Sequence, residues 1–187
     1  MKIVLASASP RRHELLKLAV KEFEIRVSDV DENVPENISA DKHAQYLSAL
    51  KAGAVGRADD ELIIGCDTVV FAEGKVLGKP SSAEECFEML SFLSGKKHMV
   101  YTGVTFIYKD SVHSFTAETE VEFYPLNEKE INNYISTGEP FDKAGGYGIQ
   151  GQGALLVREI RGDYFNVVGL PVSRLSRELD KFIGKQK

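Results

Sequence analysis

The stretch "KIVLASASPRRHELL", residues 2–16, decides how the chain is read. Its apolar run, Ile3 to Ala6, has the character of a buried strand, and Pro10 in a first helical turn opens a helix through about Leu18. Between them lie Ser7 and Ser9, with Arg11 and Arg12 just inside the helix. A helix start offers unpaired backbone N–H groups and the positive end of the helix dipole. Two hydroxyls add donors there, and two guanidinium forks match phosphate oxygens. A capped helix with solvated arginines explains the same residues, and one such turn alone does not separate that reading from a phosphate cradle.

Working outward, Phe23, Ile25 and Val27 alternate with charged residues as a half-buried second strand. The acidic loop "SDVDENVPENIS" (28–39) follows, and Ser39 is placed to cap a helix from Ala40 to about Ala58. "ELIIGCDTVVFAEGKVLGKP" (61–80) reads as a strand, an acidic bend at Asp67, and a hairpin turned at Glu73-Gly74. A helix from Ser82 to about Leu93 ends at Gly95. Two long strands, about Met99–Lys109 and Ser114–Tyr124, precede a helix at about Asn127–Ser136. The chain closes with a glycine-rich segment, a strand at Ala154–Ile160, the loop "RGDYFNVVGLP" and a helix to about Ile183. Helices mixed with short and long strands predict an α/β protein with an elongated mixed β-sheet flanked by helices, in two lobes with a deep cleft.

Composition bounds the function. The length of 187 residues suits one domain with two lobes, and 43% hydrophobic with 27% charged residues is the balance of a folded, soluble protein. A net charge of −5 disfavours nucleic acid and anionic membranes, so any bound anion must meet a local cluster of positive charge. Cys66 and Cys86 read as reduced thiols of a cytoplasmic protein. The first apolar run is too short for a secretory leader, and no window approaches a membrane span. His13, His43, His98 and His113 are scattered, without metal-ligand spacing, and no Walker or dinucleotide-binding glycine motif is present.

Three further stretches carry polar residues that packing leaves underused. Asp67 interrupts the apolar run Leu62–Val70, where an unpaired buried carboxylate would cost several kcal/mol. A metal or a proton-accepting role at the strand's end explains it better than a capped turn, whereas Cys66 beside it reads as core. Lys51 alone is an ordinary helix-surface lysine, while Lys79 sits in a restricted backbone between Gly78 and Pro80. Finally, "DKAGGYGIQGQG" (142–153) holds five glycines among Asp142, Lys143, Tyr147 and Gln150. That composition suits a shaped loop approaching a ligand, and its Ala144, Tyr147 and Ile149 argue against a flexible linker.

Together these blocks resemble the Maf family of nucleoside triphosphate pyrophosphatases. The resembling segments are "LASASPRRHELL" (5–16), "VDE" (30–32), "LKA" (50–52), "IIGCDTVV" (63–70) and "LGKP" (77–80). They continue with "LSG" (93–95), "TGV" (102–104), "GEPFDKAGGYGIQG" (138–151) and "GDYFNVVGLP" (162–171), in family order from end to end. The resemblance implies a fold like that of the inosine triphosphate pyrophosphatases. It also implies cleavage of a nucleoside triphosphate to the monophosphate and pyrophosphate with a divalent cation, Mg²⁺ or Mn²⁺. Arg12, Thr68 and Gln150 match the family's dTTP/UTP branch rather than its 7-methyl-GTP branch. Cys66 stands where Ala is common.

On that basis Asp67 is expected to accept a proton from the attacking water and, with Glu32, to hold the metal. Ser7, Arg11, Arg12, Lys51 and Lys79 are expected to hold phosphates, with Arg12, Thr68 and Gln150 setting nucleotide preference. The side-chain amide of Gln150 offers a donor and an acceptor, which suits the pairing edge shared by thymine and uracil. The expected partner is the nucleotide, with a homodimer as a family-level expectation. The competing readings are the 7-methyl-GTP branch and a non-catalytic regulator of septum formation.

Overall fold

The computed structural model describes residues 1–27, 29–35 and 38–186, so positions 28, 36 and 37 of the acidic loop, and position 187, lie outside the described residues. The strands are β1 (Lys2–Ala6), β2 (Glu24–Ile25), β3 (Glu61–Ala72), β4 (Lys75–Leu77), β5 (Lys97–Tyr108), β6 (Ser111–Phe123) and β7 (Val157–Gly162). The helices are α1 (Pro10–Leu16), α2 (Ala40–Ala54), α3 (Ala83–Leu93), α4 (Glu128–Ser136), α5 (Tyr164–Val168) and α6 (Val172–Gly184). The strands form one mixed sheet in the order β2-β1-β3-β5-β6-β7, with β4 paired to β3 off that path. This is the mixed, helix-flanked α/β sheet expected from the alternating element types. The chain divides into two compact units, Met1–Asp67 with Thr102–Ala117 and Gly169–Lys187, and Thr68–Tyr101 with Glu118–Val168.

In the first unit, β1 runs parallel to both β2 and β3, and its Val4, Leu5 and Ala6 are buried. A strand paired on both sides and covered on both faces needs such an uninterrupted apolar run. Helix α2 lies unusually close to the sheet because two strand positions have no side chain. A Cβ at Gly65 would stand 2.1 Å from the Ser48 carbonyl oxygen, and one at Gly103 would stand 2.2 Å from that of Ala44. The same contact is fixed by hydroxyls: Ser48 Oγ lies 2.8 Å from Thr105 Oγ1, which is 2.9 Å from Ser114 Oγ. On α6, Val172, Leu175, Leu179 and Phe182 form a buried stripe at helical spacing. Phe182 meets Phe106 with ring centroids 5.8 Å apart.

In the second unit, β3 and β4 make the expected hairpin. Glu73 and Gly74 have φ of 47° and 84°, the left-handed pair that a tight two-residue turn requires. Helices α3 and α4 cover a core that includes Cys86, Leu90, Leu93, Phe123, Ile131, Tyr134 and Tyr147. A capping box of Asn127 and Glu130 starts α4.

Four local expectations are corrected. Asp67 is not at a bend: β3 is continuous from Glu61 to Ala72, and Asp67 lies in its interior. Ser39 occupies the position before α2 but makes no side-chain cap. Its hydroxyl instead meets the carboxylate of Asp41 and holds that group below its ordinary range. The loop 162–171 contains α5, begun by Asp163 Oδ1 accepting the Phe165 N–H at 2.8 Å. The strand expected from Ala154 starts at Val157, because Gly151–Leu156 coil into 3₁₀ turns.

Candidate active site

Where β1 runs out at Ala6, the turn to α1 is wired around Ser7. Ser7 Oγ accepts from the Ser9 N–H at 3.3 Å and from Arg12 Nη1 at 3.3 Å. The Ser7 carbonyl lies 2.7 Å from His13 Nε2. Arg12 Nε donates to the Gly169 carbonyl at 2.8 Å, so its guanidinium ties this turn to the backbone just before α6. Ser9 is the N-cap, accepting from the Arg12 N–H at 3.5 Å. Ser7, Arg11 and Arg12 are thus gathered on one turn. His13 joins them, although nothing in its spacing marked it.

The interior of β3 carries the second cluster of the same unit. Gly65 lets α2 approach, and the last turn of α2 then brings Lys51 to Asp67. Lys51 Nζ lies 2.5 Å from Asp67 Oδ1 and 3.0 Å from Glu32 Oε1. Side-chain exposure is only 10% at Asp67 and 15% at Lys51, against 53% at Glu32. The cost of burying the Asp67 charge is therefore offset by the close ammonium of Lys51, the residue that the family resemblance assigns to phosphate. In this arrangement Lys51 is engaged by two carboxylates. Both carboxylates reach one cation, so they fit the expected divalent ion, which takes few carboxylates and completes its shell with water and phosphate oxygens. Among the described residues no group of three or more His, Cys, Asp or Glu could hold a metal. Cys66, next to Asp67, is fully buried, and burial pushes its thiol up to about 12. It is core, as expected, and not a nucleophile.

The second unit holds Thr68, Lys79 and Gln150. Thr68 is half-buried on β3, and Lys79 is exposed in the turn after β4. That turn is bonded to the glycine-rich loop, the Gly145 N–H donating to the Gly78 carbonyl at 2.8 Å. The loop itself is pinned by side chains from several elements. Tyr134 Oη of α4 accepts from the Gly148 N–H at 3.2 Å. The Glu139 carboxylate accepts from the Gln152 N–H at 3.1 Å. Lys143 Nζ donates to the Glu139 carbonyl and, at 2.6 Å, to Asp142 Oδ1. A Cβ at Gly153 would stand 2.1 Å from the Gly148 carbonyl oxygen, so the turn from 148 to 153 is cinched at its base with Gln150, exposed, beyond it. In the block "GDYFNVVGLP", Asn166 is structural: its Nδ2 donates to the Val100 carbonyl and Thr119 Oγ1, both at 3.0 Å.

These features define a class: an α/β protein with a cation-bridged carboxylate pair and a serine–arginine turn suited to anions. The family model for Maf-like proteins matches residues 2–182. A dTTP/UTP pyrophosphatase of Bacillus cereus is 51% identical over 182 residues, 97% of this chain and 95% of that protein. One from Bacillus anthracis is 52% identical over the same shares. A solved HAM1 protein from Coxiella burnetii is 14% identical and superposes with a TM-score of 0.49 over 97% of this chain and 99% of its own. The chain belongs to the Maf family. Among the described residues no helix is long and apolar enough to cross a membrane.

Proposed function

We propose that the protein is a nucleoside triphosphate pyrophosphatase that hydrolyses dTTP and UTP. Water attacks the α-phosphorus, the bond to the β-phosphate's bridging oxygen breaks, and monophosphate and pyrophosphate leave. The observation that carries this reading is the buried Asp67 held against Lys51 in the interior of β3. A carboxylate fixed on a rigid strand and shielded from water is suited to take the proton of an attacking water.

Ser7, Arg11, Arg12 and Lys79 bind phosphate oxygens, where guanidinium and ammonium groups offset the charge that develops during phosphoryl transfer. Glu32 and Asp67 would hold Mg²⁺ or Mn²⁺, which supplies charge neutralisation and polarises a phosphoryl oxygen. Lys51 then keeps the carboxylate pair together before substrate arrives and is released toward phosphate afterwards. Gln150, with Arg12 and Thr68, selects the pyrimidine. Its amide complements an acceptor and a donor of the thymine or uracil edge and leaves a mismatched base with unpaired groups. The unpaired, buried cysteines support a reducing, cytoplasmic setting.

The test is pyrophosphate release from dTTP, UTP, dCTP and 7-methyl-GTP, each with and without Mg²⁺ or Mn²⁺. Metal-dependent release favouring dTTP and UTP is expected. A preference for 7-methyl-GTP would overturn the substrate assignment. Folded Asp67→Asn should lose on the order of 10²- to 10⁴-fold in kcat, and near-native turnover in that variant would remove Asp67 from its role.

A further inference from the structure

One polar pair in the second unit lies outside everything assigned above. His98 on β5 is buried, and its Nε2 is 2.6 Å from the hydroxyl of Tyr147, itself buried in the glycine-rich loop. Phe123 closes the group, edge-on to both rings with centroids 5.0 Å from His98 and 4.7 Å from Tyr147. Among the described residues His98 Nδ1 has no hydrogen-bond partner. A buried imidazole with one nitrogen unsatisfied carries a desolvation cost that an apolar side chain at this position would avoid. Its presence is explained if the Tyr147 contact does something that packing alone does not.

The neighbourhood says what that is. Tyr147 lies between Gly146 and Gly148, which bring no side chains of their own to the packing and are held through their N–H groups by the Lys143 carbonyl at 3.1 Å and by Tyr134 Oη at 3.2 Å. Gly148 begins the cinched turn that carries Gln150, three residues beyond Tyr147. The Tyr147 ring is therefore a large buried side-chain anchor at the entry of the turn, beside the Tyr134 contact to Gly148, and its hydroxyl sets where along β5 that anchor rests. We infer that His98, acting through Tyr147, is a positioning residue for base recognition: it fixes the entry of the turn and so the reach of Gln150. This inference rests on the reading of Gln150 as the base-selecting residue. Burial supports it further, lowering His98 to about 4, so the imidazole stays neutral and the contact persists across the working pH range.

The discriminating experiment measures kcat and KM for dTTP and dCTP, and the inhibition constant of pyrophosphate, in four variants beside the native enzyme. Tyr147→Phe keeps the ring and deletes only the hydroxyl. His98→Leu removes both nitrogens, and His98→Gln restores an amide nitrogen near the place of Nε2. Gln150→Ala tests the underlying reading. Thermal unfolding of each variant is recorded alongside. Expected is a fall of roughly tenfold in the dTTP-over-dCTP ratio of kcat/KM for Tyr147→Phe and His98→Leu, the loss typical of a displaced polar contact. His98→Gln should recover most of it, and the pyrophosphate inhibition constant should stay within about twofold of native, since phosphate contacts persist. If Gln150→Ala loses selectivity while folded Tyr147→Phe keeps it, His98 and Tyr147 are packing residues only and the inference fails. The inference also fails if the hydroxyl deletion lowers turnover on both nucleotides equally in step with stability. If Gln150→Ala itself leaves the ratio unchanged, the reading of Gln150 falls, and the inference falls with it.

Discussion

Lys51 Nζ stands 2.5 Å from Asp67 Oδ1, a helix-borne ammonium pressed against a carboxylate inside a strand. The Asp67 charge is offset there by this ammonium, which Glu32 also engages at 3.0 Å. Lys51→Ala should therefore destabilise the protein by about 3 kcal/mol at neutral pH, as removal of one partner from a buried pair does. Mg²⁺ or Mn²⁺ should restore more of the lost Tm in this variant than it adds to the native protein, because a divalent ion can take the place of the ammonium. Thermal unfolding with EDTA and with added metal measures both effects. Equal metal responses would dissociate the carboxylate pair from metal binding.

The approach of α2 to β3 depends on Gly65. A methyl group there would have to displace a backbone carbonyl 2.1 Å away, which no side-chain rotation relieves. Gly65→Ala should cost about 2–3 kcal/mol through overpacking. It should also lower turnover beyond its effect on folded fraction, since Lys51 moves with the helix. Urea unfolding combined with pyrophosphate release per folded molecule separates the two losses.

Arg12 uses the geometry of its fork, Nε on the Gly169 carbonyl and Nη1 on Ser7 Oγ. Lysine keeps the charge but cannot satisfy both directions. Arg12→Lys is expected to reduce kcat/KM for dTTP by roughly tenfold or more, with a much smaller change in Tm. Steady-state kinetics beside a melting curve checks it.

Acid should weaken the second unit through His98. Burial lowers this group from 6.5 to about 4 in the folded protein, so the unfolded chain binds the proton first as pH falls. The contribution of neutral His98 is complete above pH 6.5 and is lost as pH drops toward 4, by roughly 3 kcal/mol across that window. Urea midpoints at pH 7 and pH 4.5 should differ more in the native protein than in His98→Gln, which has no group titrating there. Parallel losses in both would assign the acid sensitivity to other groups.

The sequence made some of this legible and hid the rest for physical reasons. The strand–turn–helix of residues 2–16 is readable because an apolar run, a cap and a proline lie in consecutive positions. Asp67 is readable as an anomaly, a charge amid Leu62–Val70, but its place inside an unbroken strand is not, since continuity of β3 depends on strand partners. The contact of Lys51 with Asp67 was not readable. Its partner lies 16 residues away, and the two meet only through a helix–sheet contact permitted by Gly65 and Gly103. Helix α5 escaped because five residues are too few to display a helical period. His98 and Tyr147, 49 positions apart, are adjacent only because the chain folds the loop back over β5.

Asp67 sits in a strand, where backbone hydrogen bonds to neighbours hold the chain, whereas Gln150 sits on a turn held chiefly by side chains. The two kinds of support respond differently to mutation. Substitutions at the side-chain pins around Gln150 can redirect the turn one contact at a time, while a shift at Asp67 would have to carry the strand's neighbours with it. With the roles proposed for Gln150 and Asp67, descent with modification explores new bases cheaply while the hydrolytic step stays fixed. Substrate preference should drift among relatives sharing this scaffold far more readily than the reaction they perform.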